Sequence, residues 1–156
     1  MLRMEVPGRG ECSIAYLVLD MNGTVATDGR ISAKVRDKIN LLAKRLTVYI
    51  LTADTRGDAE AQVGRTQAEV VRLEAGEEAP QKERFIKEIG PEKTIAVGNG
   101  YNDHLMVYEA VLGIAVIGKE GAARETISNA DVVVNDMVDA LDLILKPLRH
   151  QATLRK

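Results

Sequence analysis

Residues 14–25 read Ile-Ala-Tyr-Leu-Val-Leu-Asp-Met-Asn-Gly-Thr-Val, an apolar run that ends at Asp20 and continues into a glycine turn. A strand that is buried on both faces of a parallel sheet reads as such a continuous hydrophobic run. The carboxyl end of a parallel strand faces the crevice in which α/β folds bind their ligands. Asp20 is therefore a candidate nucleophile or metal ligand rather than a surface charge. The alternative is a β-hairpin, because Asn22-Gly23 is also a common two-residue turn.

The rest of the chain alternates strand-like apolar runs with helical patterns, which is typical of βαβ units and a parallel sheet. The predicted strands are 14–19, 47–51, 69–73, 94–97, 113–117 and 131–134. The predicted helices are 32–45, 56–65, 80–89, 102–111, 119–129 and 136–145. We expect an α/β fold of the Rossmann-like kind, with three layers (α/β/α) around a mainly parallel sheet. Residues 26–30 are predicted to form a short turn or flap.

Length and composition limit the classes of function. The 156 residues, with 46% hydrophobic content, fit a single domain over 1–156 whose basic tail, 147–156, is expected to fray. A net charge of -2 provides no global field for nucleic acid or an anionic membrane. The N-terminal residues lack the apolar core of a signal peptide, and no apolar stretch approaches the ~20 residues of a membrane span. We expect a cytoplasmic protein whose partner is a small molecule or another protein.

Two polar signals follow later elements of the pattern. Thr52 ends the second predicted strand, where its hydroxyl can donate to a phosphate oxygen beside helix N–H groups. Lys82 lies in the first turn of the predicted helix 80–89, where a cation is unfavourable with the helix dipole. A bound anion beside Asp20 would compensate for that charge, although an ordinary exposed lysine is the alternative. The acidic stretch 74–78 is interpreted as a solvated loop.

Residues 97–103 read Val-Gly-Asn-Gly-Tyr-Asn-Asp, a strand that runs into glycines and polar residues at the start of a helix. They do not form a dinucleotide fingerprint, because the third glycine position holds Asp103, whose charge would repel a pyrophosphate. Asp20 and Asp103 offer two hard oxygen ligands at adjacent strand ends. Asn99 and a backbone carbonyl could fill further positions, a set that matches Mg²⁺.

In combination these signals resemble the motifs of the haloacid-dehalogenase-like superfamily, over residues 14 to about 145. The matching residues, in chain order, are Asp20-x-x-Gly23-Thr24, Thr52, Lys82 and Gly98-x-Gly100-x-Asn102-Asp103. Within the superfamily the chain is most similar to the soluble P-type-ATPase-like proteins, which resemble a phosphorylation domain without transmembrane helices. The short gaps after Asp20 and Thr52 leave no room for a sizeable cap domain. Small capless phosphatases of this superfamily form tetramers, so the resemblance also implies a possible homo-oligomer.

The resemblance implies a Mg²⁺-dependent phosphatase or phosphohydrolase that acts on phosphoric monoesters or acyl phosphates through an aspartyl phosphate on Asp20. Its substrate would be a small phosphorylated metabolite or a phosphoprotein. The catalytic positions are then Asp20, Asn22, Thr52 and Lys82. The substrate-binding residues would be Gly23, Thr24, Thr52, Ala53, Lys82 and Asn102. The Mg²⁺ ligands would be Asp20, Asn22 through its carbonyl, Asn99 and Asp103.

The chain departs from the family pattern at two positions. The family's phosphatases usually carry a second aspartate two residues after the nucleophile, where this chain has Asn22. An amide cannot act as a general acid or base at neutral pH, and such catalysis is worth ~10²–10⁴-fold. Asn99 likewise stands where an aspartate is common, which should weaken Mg²⁺ binding.

These departures leave more than one function open. The first is a slow hydrolase, or one that prefers activated substrates with good leaving groups. The second is a phosphoryl-accepting or phosphate-binding regulatory protein with little turnover, because a phosphoenzyme without its hydrolytic base lives longer. The third is a non-catalytic interaction module that has kept the fold.

Overall fold

The computed structural model of the chain describes residues 1–54 and 57–156. Its strands are β1 (Leu2–Val6), β2 (Gly10–Ile14), β3 (Tyr16–Asp20), β4 (Thr47–Thr52), β5 (Glu69–Arg72), β6 (Thr94–Gly98), β7 (Leu112–Val116) and β8 (Val132–Val134). Its α-helices are α1 (Ala33–Ala43), α2 (Asp58–Val63), α3 (Glu78–Ile89), α4 (His104–Glu109), α5 (Arg124–Asn129), α6 (Met137–Leu145) and α7 (Leu148–Leu154). The start of the predicted helix 56–65 lies outside the described residues. Among those that are described, no helix combines the length and the apolar character that crossing a membrane requires.

The central element is a six-stranded sheet with the strand order β5-β4-β3-β6-β7-β8. Every pair of neighbours in it is parallel, including β3 with β4 on one side and with β6 on the other. The predicted parallel sheet is therefore confirmed. The hairpin interpretation of Asn22-Gly23 is wrong, because the chain that follows β3 returns through α1 to a parallel strand.

Helices cover both faces of this sheet, as the continuous apolar run of β3 predicts. Leu17 and Leu19 belong to one buried cluster, which also contains Ile39 of α1 and Ile144 of α6. Val18 points the other way, into a cluster built with α3 and α4. The three-layer α/β/α architecture is confirmed.

The connections at the carboxyl edge of the sheet are short. Residues 26–30 form the predicted turn, closed by a bridge between Thr27 and Arg30, with Asp28 and Gly29 in the left-handed region (φ +52° and +76°). Helix α1 begins where the sequence predicts, because the Ser32 hydroxyl accepts a hydrogen bond from the Val35 N–H at 3.2 Å. No sizeable cap domain interrupts the chain between β3 and α1.

The helix predicted over 119–129 is shorter in the structure, where α5 starts at Arg124. Gly118 and Gly121 adopt the left-handed conformation, with φ of +60° and +77°. Two such residues within four positions prevent a right-handed helix from forming there. Residues 119–123 instead form a loop at the edge of the sheet, where they reach the site described below.

Both ends of the chain differ from the sequence-based expectation. The strands β1 and β2 form an antiparallel hairpin that was not predicted, although the alternation of the buried side chains Leu2, Met4 and Val6 is a strand signal. The basic tail was expected to fray, but it contains the helix α7. His150 is buried, and its Nε2 lies 3.1 Å from the carbonyl oxygen of Glu5. The hairpin is thus the surface that orders the tail.

Candidate active site

The carboxyl ends of β3, β4 and β6 meet at one edge of the sheet, around a cavity of about 310 Å³. Seven residues that the sequence singled out line it: Asp20, Asn22, Thr52, Ala53, Lys82, Asn99 and Asn102. Asp103, another predicted site residue, is fully buried and contacts Lys82. The parallel register explains why Asp20 and Thr52 lie side by side, because Asp20 pairs with Leu51, the residue before Thr52. Four separate segments of the chain thereby converge on one site.

The Lys82 ammonium group lies between two carboxylates. Its Nζ is 2.8 Å from Oδ1 of Asp20 and 2.7 Å from Oδ1 of Asp103, and it is 3.3 Å from Oδ1 of Asn102. The Lys82 side chain is 1% exposed, so the exposed-lysine interpretation is wrong. Helix α3 begins at Glu78, which places Lys82 in the second turn, and the carboxylates compensate for its charge without a bound anion.

The charges of this triad do not balance when both carboxyl groups are ionised. Burial, and then repulsion from Asp103, raises the pKa of Asp20 to about 7 in spite of the contact with Lys82. For Lys82, burial lowers the pKa, but the two carboxylates outweigh that effect and the net shift is upward. One buried cation cannot neutralise two buried anions. The site therefore favours either a proton on Asp20 or an additional cation.

The glycine loop after β6 fixes the orientation of the Asp103 carboxylate. Its Oδ2 accepts hydrogen bonds from the main-chain N–H groups of Asn99 and Gly100, both at 3.0 Å. A Cβ atom on Gly98 would lie 2.5 Å from Cβ of Asp103, so only glycine lets the loop approach this closely. The Gly98-x-Gly100 spacing thus serves to present one carboxylate to Lys82.

Two residues predicted to bind substrate, Gly23 and Thr24, are not among those that line this cavity and line a different one. The Thr24 hydroxyl is 3.3 Å from Oδ2 of Asp20 and 3.1 Å from Oδ1 of Asn99. Gly23 has a φ of +79°, and a Cβ atom on it would lie 2.5 Å from Nδ2 of Asn99. Thr24 thus contacts the Asp20 carboxylate directly, whereas Gly23 lies against the Asn99 side chain.

Asn99 and Thr52 are already engaged in the folded chain. The Asn99 amide donates to the carbonyl oxygen of Gly121 at 3.1 Å, so it ties the loop 119–123 to the site. The Thr52 hydroxyl oxygen accepts the Asp54 N–H at 3.0 Å, and among the described residues its own proton has no acceptor. A bound oxyanion in the cavity could accept that proton.

Two carboxylates on the cavity wall, Glu78 and Glu120, were missed by the sequence analysis. Glu78 was interpreted as part of a solvated loop, but it is the first residue of α3 and is half-buried. Its Oε2 accepts a hydrogen bond from Nδ2 of Asn102 at 3.3 Å. The sequence did contain a signal for Glu78: it precedes Lys82 by four residues, so the two side chains lie on the same face of the helix, one turn apart.

The raised pKa of Asp20 predicts how stability depends on pH in the absence of metal. The folded chain binds more protons than the unfolded chain between the ordinary value of 3.8 and about 7, so the free energy of unfolding falls as pH rises through this window. In EDTA, we expect Asp20→Asn to remove this slope and to be the more stable protein at pH 8, by at most about 4 kcal/mol. Urea unfolding at pH 5 and pH 8 measures the difference. A wild type that is at least as stable as Asp20→Asn at pH 8 would contradict the prediction.

The sequence has relatives among known proteins. It is 47% identical over 90 residues to the uncharacterized protein MJ0073 of Methanocaldococcus jannaschii, a match that covers 55% of this chain and 97% of that protein. It is 31% identical over 137 residues to the chloroplastic copper-transporting ATPase PAA1 of Arabidopsis thaliana, covering 83% of this chain but 14% of the ATPase. No protein-family profile matches the chain.

The fold also matches solved structures. One is the 3-deoxy-D-manno-octulosonate 8-phosphate phosphatase from Moraxella catarrhalis, crystallised with a magnesium ion, a phosphate ion and KDO. The TM-score is 0.71 at 13% identity, and the match covers 90% of this chain and 91% of that chain. The fold is also that of a putative HAD family hydrolase from Streptomyces avermitilis, with a TM-score of 0.67 at 24% identity over 87% of each chain. The chain therefore belongs to the same protein family as MJ0073, and it has the haloacid-dehalogenase-like fold.

Proposed function

We propose that this protein is a Mg²⁺-dependent phosphohydrolase that uses Asp20 as its nucleophile and turns over slowly. The observation that carries the proposal is the buried contact of Lys82 with both Asp20 and Asp103, beside the Thr52 hydroxyl. These groups combine a nucleophile, a fixed cation and a hydrogen-bond donor around one cavity. The fold shared with a phosphatase crystallised with magnesium and phosphate supports the same chemistry.

The reaction would proceed in two displacements at phosphorus. In the first, a carboxylate oxygen of Asp20 forms a bond to phosphorus while the bond to the leaving oxygen breaks, and the electron pair stays on that oxygen. In the second, water attacks phosphorus, the bond to Asp20 breaks, and the carboxylate is restored as phosphate leaves. Lys82 and Thr52 would hold the oxygens of the transferring group. The substrate would be a small phosphorylated metabolite or a phosphoprotein.

The oxygen donors at the site fit Mg²⁺. The carboxylates of Asp20 and Asp103, the main-chain carbonyl of Asn22 and the amide oxygen of Asn99 would hold the ion. Within the described residues no group of three or more His, Cys, Asp or Glu side chains is arranged to hold a metal, and Mg²⁺ suits such a site because it keeps several water ligands. When bound, the ion supplies the positive charge that the Asp20, Asp103 and Lys82 triad lacks.

A second candidate function is a phosphoryl-accepting regulator whose modified Asp20 alters a partner surface. Asn22 favours it, because this side chain is exposed at the mouth of the cavity and cannot activate water. The similarity to an ATPase over 83% of the chain also supports a soluble P-type-ATPase-like relationship. The two functions differ in the lifetime of the phosphorylated protein.

The test is phosphate release from p-nitrophenyl phosphate and acetyl phosphate, with Mg²⁺ or with EDTA, for the wild type and Asp20→Asn. We expect slow release that requires both Mg²⁺ and Asp20, because the isosteric amide removes the nucleophile. In parallel, acid-quenched protein is examined for a hydroxylamine-sensitive acyl phosphate. Phosphorylation without turnover would favour the regulator. If neither release nor phosphorylation depends on Asp20, both functions are rejected.

A further inference from the structure

We infer that Glu78 is the base that activates the water which removes the phosphoryl group from Asp20. This inference rests on the proposed function and assigns the proton acceptor that Asn22 cannot provide. Hydrolysis of an aspartyl phosphate requires that the attacking water lose a proton, and a positioned base contributes ~10²–10⁴-fold to such a step.

The other groups around the cavity are unsuited to the role. Lys82 donates hydrogen bonds to two carboxylates and offers no acceptor for a proton. Asp103 is fully buried and uses both carboxylate oxygens for Lys82 and for the main-chain N–H groups of its own loop. Glu120 lines the cavity but is exposed, and within the described residues no hydrogen bond holds its carboxylate in place.

Glu78 lies at the cavity and has a carboxylate oxygen that is available to accept a proton. It lines the cavity of about 310 Å³ that holds Asp20 and also the adjoining cleft of about 440 Å³, which is lined by Asn22 and Gly29. Water in that cleft can therefore reach it. The Asn102 amide holds its Oε2, and within the described part of the chain its Oε1 forms no hydrogen bond.

Asn102 also connects Glu78 to the nucleophile. Its Nδ2 donates to Glu78 while its Oδ1 accepts from Lys82, whose ammonium group contacts Asp20. This chain of contacts holds the Glu78 carboxylate at a fixed position relative to the phosphorylated residue. A base must be held in this way if it is to orient water towards phosphorus.

The step is a displacement at phosphorus. The water oxygen forms a bond to phosphorus as Glu78 takes one of its protons, and the bond between phosphorus and Asp20 breaks with its electron pair returning to the Asp20 carboxylate. Inorganic phosphate leaves, and protonated Glu78 gives its proton to solvent. No oxidant, reductant or further reactant takes part.

The test separates formation of the phosphoenzyme from its decay. The proteins compared are the wild type, Glu78→Gln and, as a control, Glu88→Gln, which replaces an exposed glutamate on the same helix. Each is labelled with radioactive acetyl phosphate and Mg²⁺, and decay of the label is followed after a chase with unlabelled donor. We expect Glu78→Gln to label at nearly the wild-type rate and to decay ~10²-fold more slowly, with Glu88→Gln like the wild type. In Glu78→Ala, which vacates the space of the carboxylate, added formate should restore part of the decay rate, which a merely structural role would not produce.

The remaining outcomes contradict the inference in different ways. If Glu78→Gln decays at the wild-type rate, or if it labels slowly and decays normally, Glu78 only positions Lys82 through Asn102. If Glu120→Gln and not Glu78→Gln prolongs the label, the base is Glu120. If the wild type forms no Asp20-dependent label at all, the proposed function fails first and takes this inference with it.

Discussion

Replacement of Lys82 by methionine should lower the free energy of unfolding by about 3–5 kcal/mol at pH 8 in EDTA, because it leaves two buried carboxylates without their shared cation. Methionine preserves most of the side-chain volume, so the loss reports charge rather than a cavity. The effect should shrink at pH 5, where Asp20, with its pKa raised to about 7, is protonated. Urea unfolding at the two pH values measures both changes.

Two variants define the origin of that loss. Lys87→Met removes an exposed lysine of the same helix, whose ion pair with Glu83 spans 3.4 Å, and should change stability by less than about 1 kcal/mol. The double variant Asp20→Asn/Lys82→Met removes one of the two carboxylates and should recover a large part of the stability. If the double variant is no more stable than Lys82→Met alone, the carboxylate repulsion is not the cause. Phosphate release should be lost in every variant that lacks Lys82.

The sequence was sufficient for the sheet because the relevant signals are local. A strand buried on both faces must be apolar throughout, and a carboxylate or hydroxyl at its end marks the edge that holds the site, as at Asp20 and Thr52. Helix starts were predicted where a side chain caps them, as at Ser32. The helix α7 was missed because it is ordered by contact with a distant part of the chain, as the contact between His150 and Glu5 shows. The hairpin β1–β2, in contrast, has a local signal in the alternating buried side chains Leu2, Met4 and Val6.

The sequence predicted which residues form the site but not how their charges balance. Motif order indicated that Asp20, Lys82 and Asp103 act together, whereas their distances show one cation shared by two buried carboxylates. Periodicity cannot report the orientation of a loop residue such as Glu120, because it depends on the left-handed glycines around it. Glu78 could have been found, since i and i+4 positions share a helix face and Lys82 was already a candidate.

Asn22→Asp should raise steady-state phosphate release by ~10²-fold, because it places an acid and base at the mouth of the cavity where the wild type has an exposed amide. The gain should be larger for an alkyl phosphate than for p-nitrophenyl phosphate, since a poor leaving group needs protonation. Steady-state rates with both substrates measure this difference. Asn22→Ala is the matched control and should give no gain, because removing the amide does not add a proton donor. Equal gains for the two substrates would contradict a general-acid role.

The same substitution also tests which group removes the proton from water. If Glu78 performs that step slowly in the wild type, Asn22→Asp should restore rapid phosphoenzyme decay in a Glu78→Gln background, because the new carboxylate lines the same two cavities. Decay that stays slow in the double variant would mean that residue 22 does not reach the attacking water. In that case the proposed slow turnover could not be assigned to the asparagine, and the geometry around Asn102 and Lys82 would be the limiting feature.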